Sequence, residues 1–174
     1  DGHHIHVGEM DLSAKDPSGA LLVNLKMLYS KMDEELYAIA GRASQLLAWE
    51  RTHQFCGQCA NKMVDSEKER AKVCPVCKLI EYPKIAPVMM ALIERGDEIL
   101  LARGYHFQKG VYSILAGFVD PGETLEQCVK REISEEVGLE VEELKYFGSQ
   151  SWPFPNSLLI AFICKWKSGE IQID

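Results

Sequence analysis

Two sets of side chains in this sequence have the types and the spacing for chemistry. The first is a cysteine quartet, Cys56, Cys59, Cys74 and Cys77, in the pattern C-x2-C-x14-C-x2-C. Two such knuckles supply the four thiolates of a tetrahedral Zn2+ site. Gly57 inside the first knuckle permits a tight turn. Four thiolates leave no position for water, so a single zinc per chain is expected, structural and not catalytic. The other chemistry open to Cys-x-x-Cys pairs is thiol–disulfide exchange, which gives no reason for two pairs at ribbon spacing.

The second set is Glu132, Glu135 and Glu136, near the end of a segment that opens at Gly117. Thr124 with Gln127 forms a capping box and Gly138 is placed as a stop, so a helix is predicted over 125–137. On a wheel of about 100° per residue, Glu136 falls between Leu125 and Val129, at the centre of the apolar arc. Glu132 and Glu135 fall beside Cys128. Uncompensated buried carboxylates are costly and repel one another. Divalent cations are the simplest compensation, and all-oxygen ligands favour Mg2+ or Mn2+ over Zn2+. The competing reading is a solvated acidic helix end, but the helix dipole favours acids at the N-terminal end, and this cluster is near the other.

The elements that must position these groups can be read in outline. Helical periodicity is expected over 21–29 and 33–49, the latter carrying Leu36, Ile39, Ala40, Ala43, Leu46 and Leu47, with Gly41 inside it. From Arg51 to Pro83 apolar periodicity gives way to cysteines and charges, the mark of a small module. Strands are expected over 88–93 and 98–102, joined at Arg95-Gly96-Asp97, then over 112–116, 144–149 and 158–166, with a further element beginning at 171–173. Residues 1–20, with His3, His4 and His6, read as loop or strand remnant in preference to a copper or nickel site. Domain limits of 1–50 (N-terminal, partly helical), 51–83 (zinc ribbon) and 84–174 follow.

Composition narrows the function classes. The chain has 174 residues, 47% hydrophobic and 26% charged, which excludes general disorder. Its apolar runs fall far short of the roughly 20 residues of a membrane helix. No secretory signal is visible, though the sequence does not begin with Met. A net charge of −7 argues against non-specific nucleic-acid binding as the main role. Between Arg51 and Lys84, seven Lys or Arg stand against four Asp or Glu, and zinc with four thiolates adds two negative charges, so the module is near neutral. Cys128 and Cys164, isolated in apolar surroundings, read as small core residues of a protein from a reducing, cytoplasmic compartment.

The segment from Gly117 to Leu139 resembles the Nudix box, G-x5-E-x7-R-E-U-x-E-E-x-G-U with U a bulky aliphatic. Gly117, Glu123, Arg131, Glu132, Ile133, Glu135, Glu136, Gly138 and Leu139 fill all nine defined positions. Downstream, Ser149-Gln150-Ser151-Trp152-Pro153-Phe154-Pro155-Asn156-Ser157 is similar to the SQPWPFPxS array of NADH pyrophosphatases. The cysteine ribbon, Ala40-Gly41-Arg42-Ala43 and the 82–87 segment also resemble that family. Ser151 departs from the array's Pro, and Ala60 from the Gly that usually follows the second cysteine.

The resemblance implies an α/β fold: a Nudix α/β/α sandwich preceded by a four-cysteine zinc ribbon and an N-terminal helical remnant. It implies a metal-dependent hydrolase that cleaves the pyrophosphate of NADH or NAD+ to AMP and nicotinamide mononucleotide, or the same chemistry on NAD-capped RNA. The alternative of another class is a non-catalytic zinc-ribbon/Nudix binding module. Carried over by motif, Glu132, Glu135 and Glu136 bind Mg2+ or Mn2+, joined by the carbonyl of Ala116. Gln150, Ser151, Trp152, Pro153, Phe154, Pro155, Asn156 and Ser157 recognise the dinucleotide. Trp152 and Phe154 could instead be core aromatics, but interleaving with Pro153 and Pro155 favours a rigid loop. Tyr82 and Phe118 flank the nicotinamide end, one of them coming from the other subunit of a homodimer. Glu69 is a substrate-contacting acid, and Glu123 with Arg131 a structural ion pair. The family's chain continues with a further metal-binding glutamate and a strand and helix that complete the adenosine pocket. A sequence ending at Asp174 is therefore expected to hold a Nudix fold incomplete at its C-terminus, and its N-terminal domain is expected to be shorter than usual.

Overall fold

The computed structural model describes residues 5–172 except Leu12, Asp16 and His106. Of the N-terminal histidines, His3 and His4 lie outside the described residues, as does Ile173. The described chain forms two compact units. One holds the residues up to Lys84 together with Pro153–Asn156, and the other holds Ile85–Trp152 and Ser157 onward.

In the first unit, Asp33 caps helix α1 (Glu34–Thr52) by accepting from the N–H groups of Glu35 and Leu36 at 3.0 and 3.1 Å. The periodicity over 21–29 yields only a four-residue 3-10 turn, Leu25–Leu28, with Leu21, Leu22 and Val23 exposed. Only Leu25 and Leu28 are partly buried there and none of the segment's apolar residues is fully buried, which is too little packing to carry a nucleus into a full helix. Gly41 is buried in α1 for a reason that periodicity does not show. A methyl on it would come within 2.9 Å of the Pro153 ring, so the glycine admits the proline.

The ribbon follows as three short antiparallel strands, β1 (Val64–Asp65), β2 (Lys72–Val73) and β3 (Ile80–Glu81), in the order β1-β2-β3. Lys72 is nearly buried beneath the Trp49 ring and is held by Glu50 at 2.6 Å and Asp65 at 2.9 Å. Ala60 and Lys78, each just after the second cysteine of its knuckle, sit at φ 58° and 66°. A left-handed conformation costs a residue with a Cβ about 1–2 kcal/mol, and glycine offsets part of that by its greater chain entropy. Ala60→Gly is therefore expected to stabilise the ribbon by roughly 0.5–1 kcal/mol. Denaturant unfolding with zinc bound checks this.

The second unit is a mixed sheet of β4 (Ala86–Arg95), β5 (Glu98–Ile99), β6 (Leu115–Phe118), β7 (Glu140–Trp152) and β8 (Ser157–Ser168). The order is β5-β4-β8-β7, with β6 also paired to β4. β4 and β8 run parallel from Ala86↔Ser157 to Glu94↔Lys165, and the other pairings are antiparallel. Long partners lengthen β4, β7 and β8 beyond what alternation predicts. The strand expected over 112–116 is displaced to β6, because only from Leu115 onward does the chain meet β4. Ser113 instead makes an isolated bridge to Ala102.

Helix α2 (Leu125–Val137) occupies the predicted span, with the capping box at Thr124 and Gln127 and left-handed Gly138 at its end. Its Cys128, Val129 and Ile133 are fully buried against Met89 and Ala91 of β4, in a core that includes Cys164. Burying Val129 and Ile133 contributes about 1.5–3 kcal/mol each. Among the described residues no helix is long and apolar enough to cross a membrane.

Candidate functional site

In the ribbon, the Sγ atoms of Cys56, Cys59, Cys74 and Cys77 all lie within 4.8 Å of one another. The knuckles repeat one hydrogen-bond pattern. Cys56 N–H donates to Asn61 and Ala60 N–H to Cys56, and Cys74 N–H donates to Leu79 and Lys78 N–H to Cys74. The nearest cross-knuckle pairs are Cys56–Cys77 at 3.5 Å and Cys59–Cys74 at 3.4 Å, with no disulfide. The side-chain amide of Asn61 and then its backbone pull the Cys59 thiol down to about 6, toward the thiolate that a metal requires. Four convergent sulfurs fit zinc by donor chemistry.

In the other unit, β6 turns into α2 through a loop closed by Glu123 and Arg131. Arg131 Nε and Nη2 donate to the two oxygens of Glu123 at 3.1 and 2.6 Å, and Nη2 also donates to the Phe118 carbonyl at 3.0 Å. Its Nη1 donates to Glu132 at 2.9 Å and Glu135 at 3.1 Å. Arg131, followed by the Asp120 N–H, holds the Glu123 carboxyl at about 2. That folded value lies below the ordinary 4.5, so the stabilisation is present above pH 4.5 and is lost as pH falls through about 2. Glu123→Gln is thus expected to lower the melting temperature near neutrality, with the gap from wild type closing between about pH 4.5 and 2. Melts recorded across that range check it.

Glu132 is the most buried of the three candidate glutamates, its side chain 16% exposed. Gly117 makes its place, because a Cβ built there would overlap the Glu132 carboxyl. Glu135 is exposed at 62%. Glu136 is also exposed, which corrects its expected position at the centre of a buried arc. The wheel gives a side of the helix but not what stands opposite. At the last turn of α2 that side borders an open groove lined by Leu100, Ala102, Arg103 and the three glutamates. Partial desolvation, then the charge of Glu132, raises the Glu136 carboxyl above its ordinary value. Among the described residues the carboxylates do not converge as the thiolates do; Glu132 and Glu135 are turned to Arg131. Ala116 lies on β6 opposite Met90, and Phe118 on the same strand is 60% exposed.

The remaining candidates fall in two groups. Gln150, Ser151 and Trp152 end β7, paired with Leu159, Leu158 and Ser157 of β8. Pro153, Phe154, Pro155 and Asn156 form the intervening turn, which belongs to the first unit. There Pro153 is buried, Lys26 stands 4.9 Å over the Phe154 ring and Asn156 donates to the Lys84 carbonyl at 3.0 Å. Also in the first unit, Tyr82 donates its hydroxyl to Glu69 at 3.0 Å.

Residues 83–174 match the family model of the NUDIX domain, over half of the chain. The chain belongs to the Nudix family. Ahead of this Nudix domain, residues 51–82 match the NADH pyrophosphatase zinc ribbon domain and residues 2–49 the NADH pyrophosphatase-like rudimentary NUDIX domain. Two similar proteins are both named NAD-capped RNA hydrolase NudC. That of Stutzerimonas stutzeri is 44% identical over 98% of this chain and 62% of its own. That of Pseudomonas aeruginosa is 46% identical over 98% and 61%. The chain thus spans about three-fifths of the length of these curated relatives. A Nudix hydrolase structure from Nitrosomonas europaea aligns with a TM-score of 0.54 at 26% identity, covering 67% of this chain and 69% of that one.

Three residues near these Nudix and ribbon features escape motif reading. Gly41 receives Pro153, Asn61 supports Cys59, and Arg103 lines the glutamate groove. Asn61 carries no pattern of its own, and the Ala40-Gly41-Arg42-Ala43 resemblance does not say what Gly41 receives. Arg103 does leave a trace, since no Asp or Glu occurs from Ile99 to Val119.

Proposed function

We propose that the protein hydrolyses the pyrophosphate of NADH or NAD+, free or as the 5′ cap of an RNA, releasing the adenosine 5′-phosphate half from nicotinamide mononucleotide. The observation that carries this reading is the Glu132 carboxyl set in the space Gly117 leaves, beside an open groove walled by Glu135 and Glu136. The NADH pyrophosphatase ribbon ahead of the Nudix domain supports the choice of dinucleotide.

The carboxylate-only donor set fits Mg2+ or Mn2+ at Glu132, Glu135 and Glu136, with the Ala116 carbonyl, and the thiolate set fits one zinc per chain. A divalent cation bound there supplies charge neutralisation for the pyrophosphate and a more acidic water. The chain's own residues do the rest. Arg131 fixes Glu132 and Glu135 through one guanidinium nitrogen while anchoring the loop through Glu123. Gly117 keeps the strand close to the helix at the reacting end. Gln150 to Ser157, Glu69 and Tyr82 are read as contacts of the dinucleotide, the Tyr82 hydroxyl donating to Glu69, and exposed Phe118 as an apolar face for the nicotinamide. The Nudix domain is assigned to 84–174, the ribbon to 51–83 and the helical N-terminal segment to 1–50.

The protein is further read as a homodimer, supported by the exposed apolar Phe118 and Tyr82, and as cytoplasmic, where six free thiols persist. Sedimentation of the full-length protein as a monomer at micromolar concentration would count against a shared site. The deciding experiment is incubation of the full-length protein with NADH and Mn2+, followed by chromatography. AMP and reduced nicotinamide mononucleotide are expected. Intact NADH would replace this reading with a non-catalytic binding module.

A further inference from the structure

We propose that loop 103–112 is the track along which the RNA body of a capped substrate leaves the glutamate groove; this rests on the pyrophosphatase reading above. In an NAD-capped RNA the adenosine of the cap is the first nucleotide, so the next phosphodiester hangs from its ribose. A surface adjoining the groove must then either carry the following nucleotides or repel them. The ribbon, near neutral in charge, offers little.

The loop has the needed chemistry. Ala102 and Ser113 pin its ends by reciprocal backbone hydrogen bonds of 2.8 and 2.9 Å. Phe107 N–H donates to Gly104 and Val111 N–H to Gln108, and Gly110 sits at φ 86°. Arg103 lines the groove together with the three glutamates and makes no ion pair within 4.0 Å among the described residues. Lys109 follows farther along, and these two are the only formal charges from Ile99 to Val119. Tyr105 is 97% exposed and Tyr112 59% exposed. Cations interleaved with exposed aromatic faces are the means by which proteins hold single-stranded nucleic acid without reading sequence. The chain as a whole carries a net charge of −7, and this stretch adjoining the groove holds two cations and no acid, which favours it as the exit.

The test uses the full-length protein with Tyr105→Ala and Lys109→Ala combined, and separately Arg103→Ala. On a short NAD-capped single-stranded RNA, kcat/KM for the double variant should fall about tenfold or more, while NADH turnover stays within about twofold. With Arg103 and Lys109 both replaced, the slope of log affinity against log salt for the same RNA should shrink by about 1.4, at roughly 0.7 per phosphate contact. Equal losses on NADH and capped RNA would show that the loop merely shapes the groove and would overturn the proposal. So would unchanged turnover of capped RNA. Binding of an uncapped single-stranded RNA, read by fluorescence anisotropy, needs no turnover. If NADH is not cleaved, the pyrophosphatase reading falls by itself, and the track is still judged by whether the loop variants lose RNA affinity.

Discussion

Glu136→Gln is expected to cut AMP release from NADH by a factor on the order of 10² or more while leaving the fold intact. Its side chain is exposed at the groove, so removing the charge opens no cavity, and stability should stay within about 0.5 kcal/mol of wild type. Glu126→Gln is the matched control. Glu126 is exposed in the first turn of the same helix, outside the groove, and its loss should be nearly silent. Gly117→Ala makes the same point by another route. The introduced methyl claims the space of the Glu132 carboxyl, which is the flexible end of a side chain and can yield. The expected result is a folded protein with Glu132 displaced and turnover reduced comparably to Glu136→Gln. Equal AMP release from Glu136→Gln and Glu126→Gln would sink the metal-binding reading of this helix.

Cys74→Ser should abolish stoichiometric zinc and unfold the ribbon. Cys74 is fully buried, and its sulfur is 3.4 Å from Cys59, so no water can substitute for it without opening the knuckle. Zinc analysis by mass spectrometry should give one ion per chain for wild type and well under one for the variant, with a lower melting temperature. Cys128→Ser and Cys164→Ser separate this from a general effect of losing a thiol. Burial pushes those two thiols up to about 12 and about 11, so they remain neutral core groups, and both variants should retain full zinc. Undiminished zinc content and melting in Cys74→Ser would defeat the assignment.

How much of this was legible beforehand varied with the locality of the signal. Helix α2 was read residue for residue, because its capping box, apolar steps and terminal glycine are all local and agree. The cysteine knuckles were legible for the same reason. Strand limits depended on partners: β4 gains Ala86 and Pro87 because β8 runs alongside, which no alternation in β4 reveals. The segment over 21–29 had the periodicity but not the packing, and most of it did not become helix. Glu136 was placed on the right side of its helix and in the wrong environment, since a wheel holds no information about what faces it. Gly41 sits inside the helical pattern and in a family-like segment, and neither tells that it is a seat for Pro153, more than a hundred residues away.

That seat has a consequence for synthesis. The first unit is discontinuous in sequence, comprising the residues up to Lys84 and the later Pro153–Asn156 turn. Emerging from the ribosome, α1 and the ribbon must wait through all of β4 to β7 before the residue that closes on Gly41 arrives. The N-terminal unit cannot be finished until that turn arrives, and the α1 surface around Gly41 stays uncovered while β4 to β7 are being made. A nascent chain stalled before Pro153 should expose α1 to protease, and one stalled after the turn has cleared the exit tunnel should protect it.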